Sequence, residues 1–282
     1  MTMVGTIEPV AESVEGGCRS CGVLLSKPFR ESGYCGDCDQ SVPSMLREGR
    51  AAMELAQLLW DPVYYGIGVP YGDGSPVLLV PGFLADDNYM APLRQWLSRL
   101  GYQAQSSGIP RNIGCPDRLG RRLIERAQGI VDRSGRRLTI VGHSKGGLMG
   151  RGLAATRPDL VHHVIALGAP FRGPLEMDPV TSALATLARG TERSVNEGLV
   201  DCFRSECRCG FVRAIADPPP FGVRYTSIYT RTDGVVRWTR CVDEVDECNV
   251  EVEGSHFGLA FNSAVYRHLA RLLAGYPSPA VT

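Results

Sequence analysis

The sequence has no uninterrupted apolar run near the ~18 residues that a membrane-spanning helix requires, which argues against a transmembrane protein. Excess charge of either sign is missing too: 30 Lys and Arg balance 30 Asp and Glu, so no global field points to nucleic acid or an anionic membrane. Lysine is scarce. Only Lys27 and Lys145 occur among those 30 basic residues, and the remaining 28 are arginine. The opening MTMVGTIEPVAESVEGG lacks a basic stretch followed by an apolar one, so a cytoplasmic location is expected. No internal repeat is evident, and 282 residues suit one α/β domain with a small appendage. Function must therefore be sought in local constellations.

Cysteine is not scarce. Ten in a cytoplasmic chain raise metal binding before disulfides, because thiols there normally stay reduced. Cys18, Cys21, Cys35 and Cys38 form two Cys-x-x-Cys knuckles, each able to offer two thiolates to one tetrahedral zinc ion from a tight turn. Such a closed four-sulfur site is structural, and it leaves no open position for chemistry. Disulfides are the competing account. Cys202, Cys207 and Cys209, together with Cys241 and Cys248, could hold the later insertion or the loop before His256, or be buried free thiols, and connectivity does not follow from sequence.

Residues 1–17 are polar and aperiodic, and are expected to be a disordered lead. Residues 18–40 form the zinc-ribbon-like module, and 43–282 the main domain. Helical spacing of apolar residues over 43–60 predicts a helix packed on that domain. A Gly/Pro-rich approach follows, then PVLLV at 76–80, which has the character of a buried parallel strand. Residues 87–100 are expected to be helical, with Asp87 or Asn88 as cap, and 119–131 helical after a polar stretch. RLTIVG at 137–142 and VIALG at 164–168 repeat the strand signal, with a helix between them that Pro158 helps to stop. VRYTSIYT at 223–230 and NVEVE at 249–253 add two more strands, and a helix closes the chain. Alternating strands and helices predict an α/β fold with a mostly parallel, doubly wound sheet. Residues 171–221 break the rhythm and are expected to be a helical cap insertion over the carboxyl edge of the sheet. There Leu184, Leu187 and Phe203 would face a bound ligand or simply pack in a core.

GHSKG at 142–146 fits Gly-x-Ser-x-Gly at a strand-to-helix turn, where the serine hydroxyl is exposed on a strained backbone. Serine is a weak nucleophile at neutral pH and needs a base, itself oriented by an acid. In the order nucleophile, acid, base, His256 in GSHFG follows a strand and lies in a glycine-flanked loop, whereas His268 sits on the last helix facing solvent. His143 would point away from the turn into packing. Asp233 in YTRTDGVV is the leading acid, ahead of Asp243 and Asp246; its plain alternative is an Asp-Gly turn. Two donors must meet the oxyanion: the backbone N–H of Lys145, and that of Phe83 in VPGFLADD, where Gly82 permits close approach. The Lys145 side chain is expected to be solvated, with contact to an anionic substrate group or pairing with Asp86 or Asp87 as the alternatives.

PVLLVPGFLADD, GHSKGG, LGAPFRG, YTRTDGVVRW and EGSHFGLAFN together resemble the bacterial lipase and esterase branch of the α/β-hydrolase family, across roughly residues 50–275. The resemblance implies the α/β-hydrolase fold and cleavage of a carboxylic ester through an acyl-enzyme. Ser144, Asp233 and His256 would be the triad, with Phe83 and Lys145 as oxyanion donors. Small esters or acyl lipids are the implied substrates, and catalysis needs no cofactor. Pro81 departs from the pattern where many lipases carry histidine, and the cysteine module is an addition to it that would suit a protein partner. An acyltransferase or thioesterase would use the same triad, and a non-catalytic binding protein is the third class; the full triad speaks against the last.

Overall fold

The computed structural model describes residues 19–20, 43–113, 115–172, 210–216, 220–243 and 245–275. The chain divides into two units, Met1–Ser41 and Val42–Thr282. The four cysteines of the expected zinc module fall outside the described residues, as do Leu184, Leu187, Phe203, Cys202, Cys207 and Cys209.

In the second unit a 3-10 turn, Met45–Arg50, leads into α1 (Ala51–Trp60), followed by β1 (Pro76–Val80), α2 (Ala91–Arg99), β2 (Gln103–Ser106) and α3 (Pro116–Ser134). Then come β3 (Leu138–His143), α4 (Lys145–Thr156), β4 (Val161–Leu167), α5 (Gly210–Ala216), β5 (Arg224–Tyr229), β6 (Asn249–Glu251) and α6 (Ser263–Leu273). The six strands form one sheet in the order β2-β1-β3-β4-β5-β6, and every pairing is parallel.

Sheet pleating explains why the central strands are uniformly apolar. Val77, Leu79, Val141, Ile165 and Leu167 face a core completed by α1, α2 and α6, where Trp96 and Tyr266 are fully buried. Leu78, Val80, Ile140, Val164 and Ala166 face the opposite core with α3, α4 and α5. A strand buried on both faces has no polar side to show, so the runs PVLLV and LTIV lack alternation.

Four expectations need correction. The polar stretch before α3 contains β2, an edge strand whose Gln103 is exposed and whose Ala104, Gln105 and Ser106 are only partly covered, so no apolar run announces it. Helix α2 begins at Ala91 with Met90 as cap residue, because Asp87 instead accepts from Ser107 N–H and Oγ–H and from Gly108 N–H. Helix α1 exists, but its apolar residues do not define its buried side. Met53 and Trp60 are exposed, while Glu54 and Leu58 are buried, and Glu48 is buried in the preceding turn. Finally, α5 lies within the span expected to be a cap but belongs to the core: Phe211 and Ile215 pack against Gly152, and Phe211 against Gly120.

The chain runs outward from β1 to β2, then returns to place β3 on the other side of β1. At such a reversal the loops leaving adjacent strands part and open a crevice at their carboxyl ends.

Candidate active site

Ser144 follows β3 with φ 52° and ψ −122°, a region that costs an L-residue roughly 1–3 kcal/mol and persists only when its surroundings enforce it. Here the enforcement is visible. Its N–H donates to Leu167 O at 2.7 Å, tying the turn to the end of β4, while Gly147 N–H donates to Ser144 O at 2.9 Å and starts α4. The glycines of the motif answer to space. A Cβ at Gly142 would lie 2.5 Å from Gly146 main-chain atoms, and one at Gly146 would collide with Val80 O.

The loop leaving β1 lies beside this turn because Val80 pairs with Gly142. A Cβ on Gly82 would be 3.3 Å from Ser144 Cβ and 2.8 Å from His143 Nδ1, so this position admits only glycine without movement. Leu84 has φ 64°, a second strained non-glycine residue in the loop that carries Phe83. Asn112, fully buried, donates through Nδ2 to Pro81 O at 2.8 Å, and its N–H donates to Ala85 O at 2.9 Å. Nothing in the local sequence around Asn112 signals that role.

Lys145 is half-buried rather than solvated. Its Nζ donates to Asn112 O at 3.4 Å and sits 5.6 Å from the centre of the Phe83 ring, a cation–π arrangement linking the side chains of both expected oxyanion residues.

Asp233 and His256 come together from the loops after β5 and β6. Asp233 Oδ2 accepts from His256 Nδ1 at 2.6 Å, and both residues are almost wholly buried. Asp233 Oδ1 accepts from Val235 and Val236 N–H at 2.8 Å each, which fixes the carboxylate plane. With Nδ1–H committed to Asp233, the imidazole keeps Nε2 free of hydrogen. That is the tautomer a general base requires. Burial opposes charge on this ring, but the Asp233 carboxylate, by its charge and hydrogen bond, and Glu48 outweigh burial and raise the pKa of His256 above 6.5. Gly168, just after Leu167, adjoins the ring: a Cβ there would be 3.2 Å from His256 Nδ1.

His143 points into the protein, as expected. Its Nε2 lies 2.8 Å from His256 O, a carbonyl that can only accept, so Nε2 carries the hydrogen. Burial and the neighbouring His256 push its pKa down to about 3, despite that hydrogen bond, and the ring stays neutral. Tyr89 packs on it at 5.2 Å between ring centres and donates its hydroxyl to Phe257 O at 2.5 Å. Asp243 is occupied elsewhere: its N–H bonds Asn249 Oδ1, and its carboxylate accepts from Val245 N–H and faces Arg151 at 3.8 Å. His268 is half-buried on α6 rather than solvent-facing, and the side chain of residue 246 lies outside the described residues.

Two further carboxylates at the site were not among the expected residues. Glu48 accepts from Gly234 N–H at 2.8 Å and His256 N–H at 3.0 Å through Oε1, and from Phe257 N–H at 2.8 Å through Oε2. Glu54 accepts from Ser255 N–H and Oγ–H at 2.9 Å each. Burial raises its pKa against the lowering effect of those bonds. The available sequence signal was weak: charged residues on a helix are usually solvated.

No family model matches the chain. A triacylglycerol lipase from Pseudarthrobacter phenanthrenivorans is 31% identical over 138 residues, covering 45% of this chain and 43% of that one. One from Burkholderia plantarii is 31% identical and covers 45% and 38%. The chain thus spans less than half the length of these curated relatives. Among solved structures, a Bacillus licheniformis lipase in mature form superposes with a TM-score of 0.51 at 16% identity, over 73% of this chain and 95% of that one. A metagenomic carboxyl esterase gives 0.52 at 16% identity, over 74% and 79%. The chain has the α/β-hydrolase fold, and part of it is related in sequence to bacterial triacylglycerol lipases.

Proposed function

We propose that this chain is a serine ester hydrolase of the lipase and esterase type, acting through an acyl-enzyme on Ser144. The observation that carries the reading is that a strained Ser144 at φ 52° and a buried Asp233–His256 couple at 2.6 Å both sit in loops leaving the carboxyl ends of strands of one sheet. Each step uses a group with suitable chemistry. Ser144 Oγ attacks the ester carbonyl as His256 Nε2 takes its proton, and the carbonyl oxygen gains charge opposite the N–H groups of Phe83 and Lys145. Collapse breaks the bond to the alcohol, which leaves with the proton from His256. Water, deprotonated by the same nitrogen, then releases the acid and restores Ser144.

The 31% identity to triacylglycerol lipases supports an acyl ester as substrate class. Four thiolates at Cys18, Cys21, Cys35 and Cys38 would hold a structural zinc ion, a reading supported by their spacing alone. The module they form would serve as a surface for a protein partner. Among the described residues no helix is long and apolar enough to cross a membrane, and action in the cytoplasm is part of this proposal.

The test is turnover of p-nitrophenyl esters of increasing chain length, with fluorophosphonate labelling of the nucleophile. Ser144→Ala is expected to abolish labelling and reduce kcat by about 10⁴-fold or more. Turnover within tenfold of the unaltered chain would overturn the assignment.

A further inference from the structure

We propose that Glu48 is a positioning residue for the Asp233–His256 couple, a single buried carboxylate that clasps the acid loop and the base loop together by their main-chain N–H groups. The inference rests on the ester-hydrolase reading above, since positioning matters only if the couple is catalytic.

The argument begins with what the two loops lack. Gly234 follows the acid, and His256 and Phe257 form the start of a 3-10 turn; the strands have ended, so no ladder takes their N–H groups. Left unpaired in a buried site, each would cost free energy. Glu48 reaches in from a different part of the chain, and one carboxylate takes all three. Its Oε1 is shared between Gly234, next to the acid, and His256 itself, so this single atom sets the separation of the two loops. Charge-assisted bonds of this kind are stronger and shorter than neutral ones.

Two of the glycines around the couple are explained by Glu48 and its neighbour Glu54. Gly234 is not among the positive-φ glycines, so its backbone conformation does not demand glycine. Space does: a Cβ there would collide with Ser44 O and lie 2.7 Å from Glu48 Oε1. Six residues further along, Glu54 fills the corresponding place beside Ser255, and a Cβ on Gly258 would overlap its Oε2. The loops are thus shaped around carboxylates delivered by Met45–Trp60, and the inverted face of that segment, acids inward and Met53 and Trp60 outward, follows from it.

Several groups surround the His256 ring. Asp233 bonds it, His143 lies 4.9 Å away between ring centres, Phe257 lies 5.7 Å away, Tyr89 bonds the next residue's carbonyl, Glu48 acts on it by charge, and Glu54, near Arg50, holds Ser255 beside it. Among them Glu48 places a negative charge that favours the imidazolium formed in the transition state.

The full-length chain with Glu48→Gln tests this. The amide oxygen can still serve Gly234 and His256, but its NH₂ meets the Phe257 N–H, donor against donor. Expected are a kcat lower by about tenfold to a hundredfold, the scale of a misplacement near 1 Å, with KM within about threefold. The acid limb of the kcat profile should also move to lower pH as the charge is lost. Glu48→Asp keeps the charge but falls one methylene short: kcat should drop while the limb stays. Either variant retaining kcat within about threefold overturns the proposal, as does a kcat loss in Glu48→Gln with an unmoved limb. Should neither variant fold, amide hydrogen exchange of the unaltered chain decides: Gly234, His256 and Phe257 are expected to be protected, and exchange as fast as in exposed loops refutes the clasp. Failure of the unaltered chain to label with fluorophosphonate would instead sink the hydrolase reading, leaving that protection intact.

Discussion

Replacing Asp233 by Asn changes one atom, and the geometry says which way the new amide must turn. Oδ1 now accepts from two main-chain N–H groups, Val235 and Val236, and Oδ2 accepts from the His256 ring. If the NH₂ faced the two valines, two buried N–H groups would lose their acceptor at about 1–3 kcal/mol each, or roughly 2–6 kcal/mol together. Facing His256 instead, the NH₂ is accommodated by a shift of the imidazole proton from Nδ1 to Nε2, which needs no unpaired group. The second arrangement therefore wins by at least about thirtyfold. It leaves His256 with hydrogen on the nitrogen that should receive the Ser144 proton, so the fold survives and the base does not. The expected outcome is a fall in kcat of about 10⁴, close to 5.5 kcal/mol, with KM little changed. Fluorophosphonate labelling should slow in parallel, because it also needs an activated Ser144. The assay is ester turnover and labelling rate at fixed pH, with a thermal melt to establish that the variant is folded. Turnover within tenfold of the unaltered chain would refute the assignment of Asp233 as the residue that fixes the imidazole.

Three other outcomes follow from the same geometry. The pKa of His256 is raised above 6.5, so the group must lose its proton to act as base, and kcat/KM is expected to fall as pH drops through a value above 6.5; a profile flat down to pH 5.5 would contradict this. His163 is buried, its Nε2 2.9 Å from Thr226 Oγ1, and burial with Arg224 and His162 pushes its pKa down to about 3. The folded state then binds fewer protons than the unfolded one, so this contribution is present above pH 6.5 and is lost as pH falls toward 3. It amounts to about 3 kcal/mol by pH 4.5. Denaturant unfolding of His163→Gln should show a pH dependence flatter by that order, and an unchanged slope would count against a neutral buried ring. Gly146→Ala drives a Cβ into Val80 O and to 2.6 Å from Pro81 O, both main chain, whereas Gly150→Ala meets the Ile140 side chain at 2.9 Å, which can shift. The first is expected to destabilise by about 1–3 kcal/mol and to reduce kcat through the loop carrying Phe83; the second should cost less, as thermal melts and turnover would register.

The sequence by itself determined the parallel α/β architecture, because strands buried on both faces must be apolar throughout and the helices between them must be amphipathic. It also marked Ser144, Asp233 and His256 as candidates in that order, since each follows a strand and has a glycine within two residues. It did not disclose β2, whose edge position spares it an apolar run, nor the limits of the core within 171–221, where α5 packs with α3 and α4.

Only the tertiary structure decided the surroundings of Ser144, Asp233 and His256. Lys145 was expected in solvent, yet it lies across Phe83, because the β1 and β3 loops are neighbours in the sheet but far apart in the chain. Asn112 buttresses Pro81 from beyond β2 for the same reason. Glu48 and Glu54 are the plainest case. Helical periodicity weighs a side chain by its hydropathy, so it turns acids outward. What draws these two inward is a set of main-chain N–H groups about two hundred residues away, and backbone hydrogen-bond demand leaves no mark on the side-chain pattern of the segment that answers it.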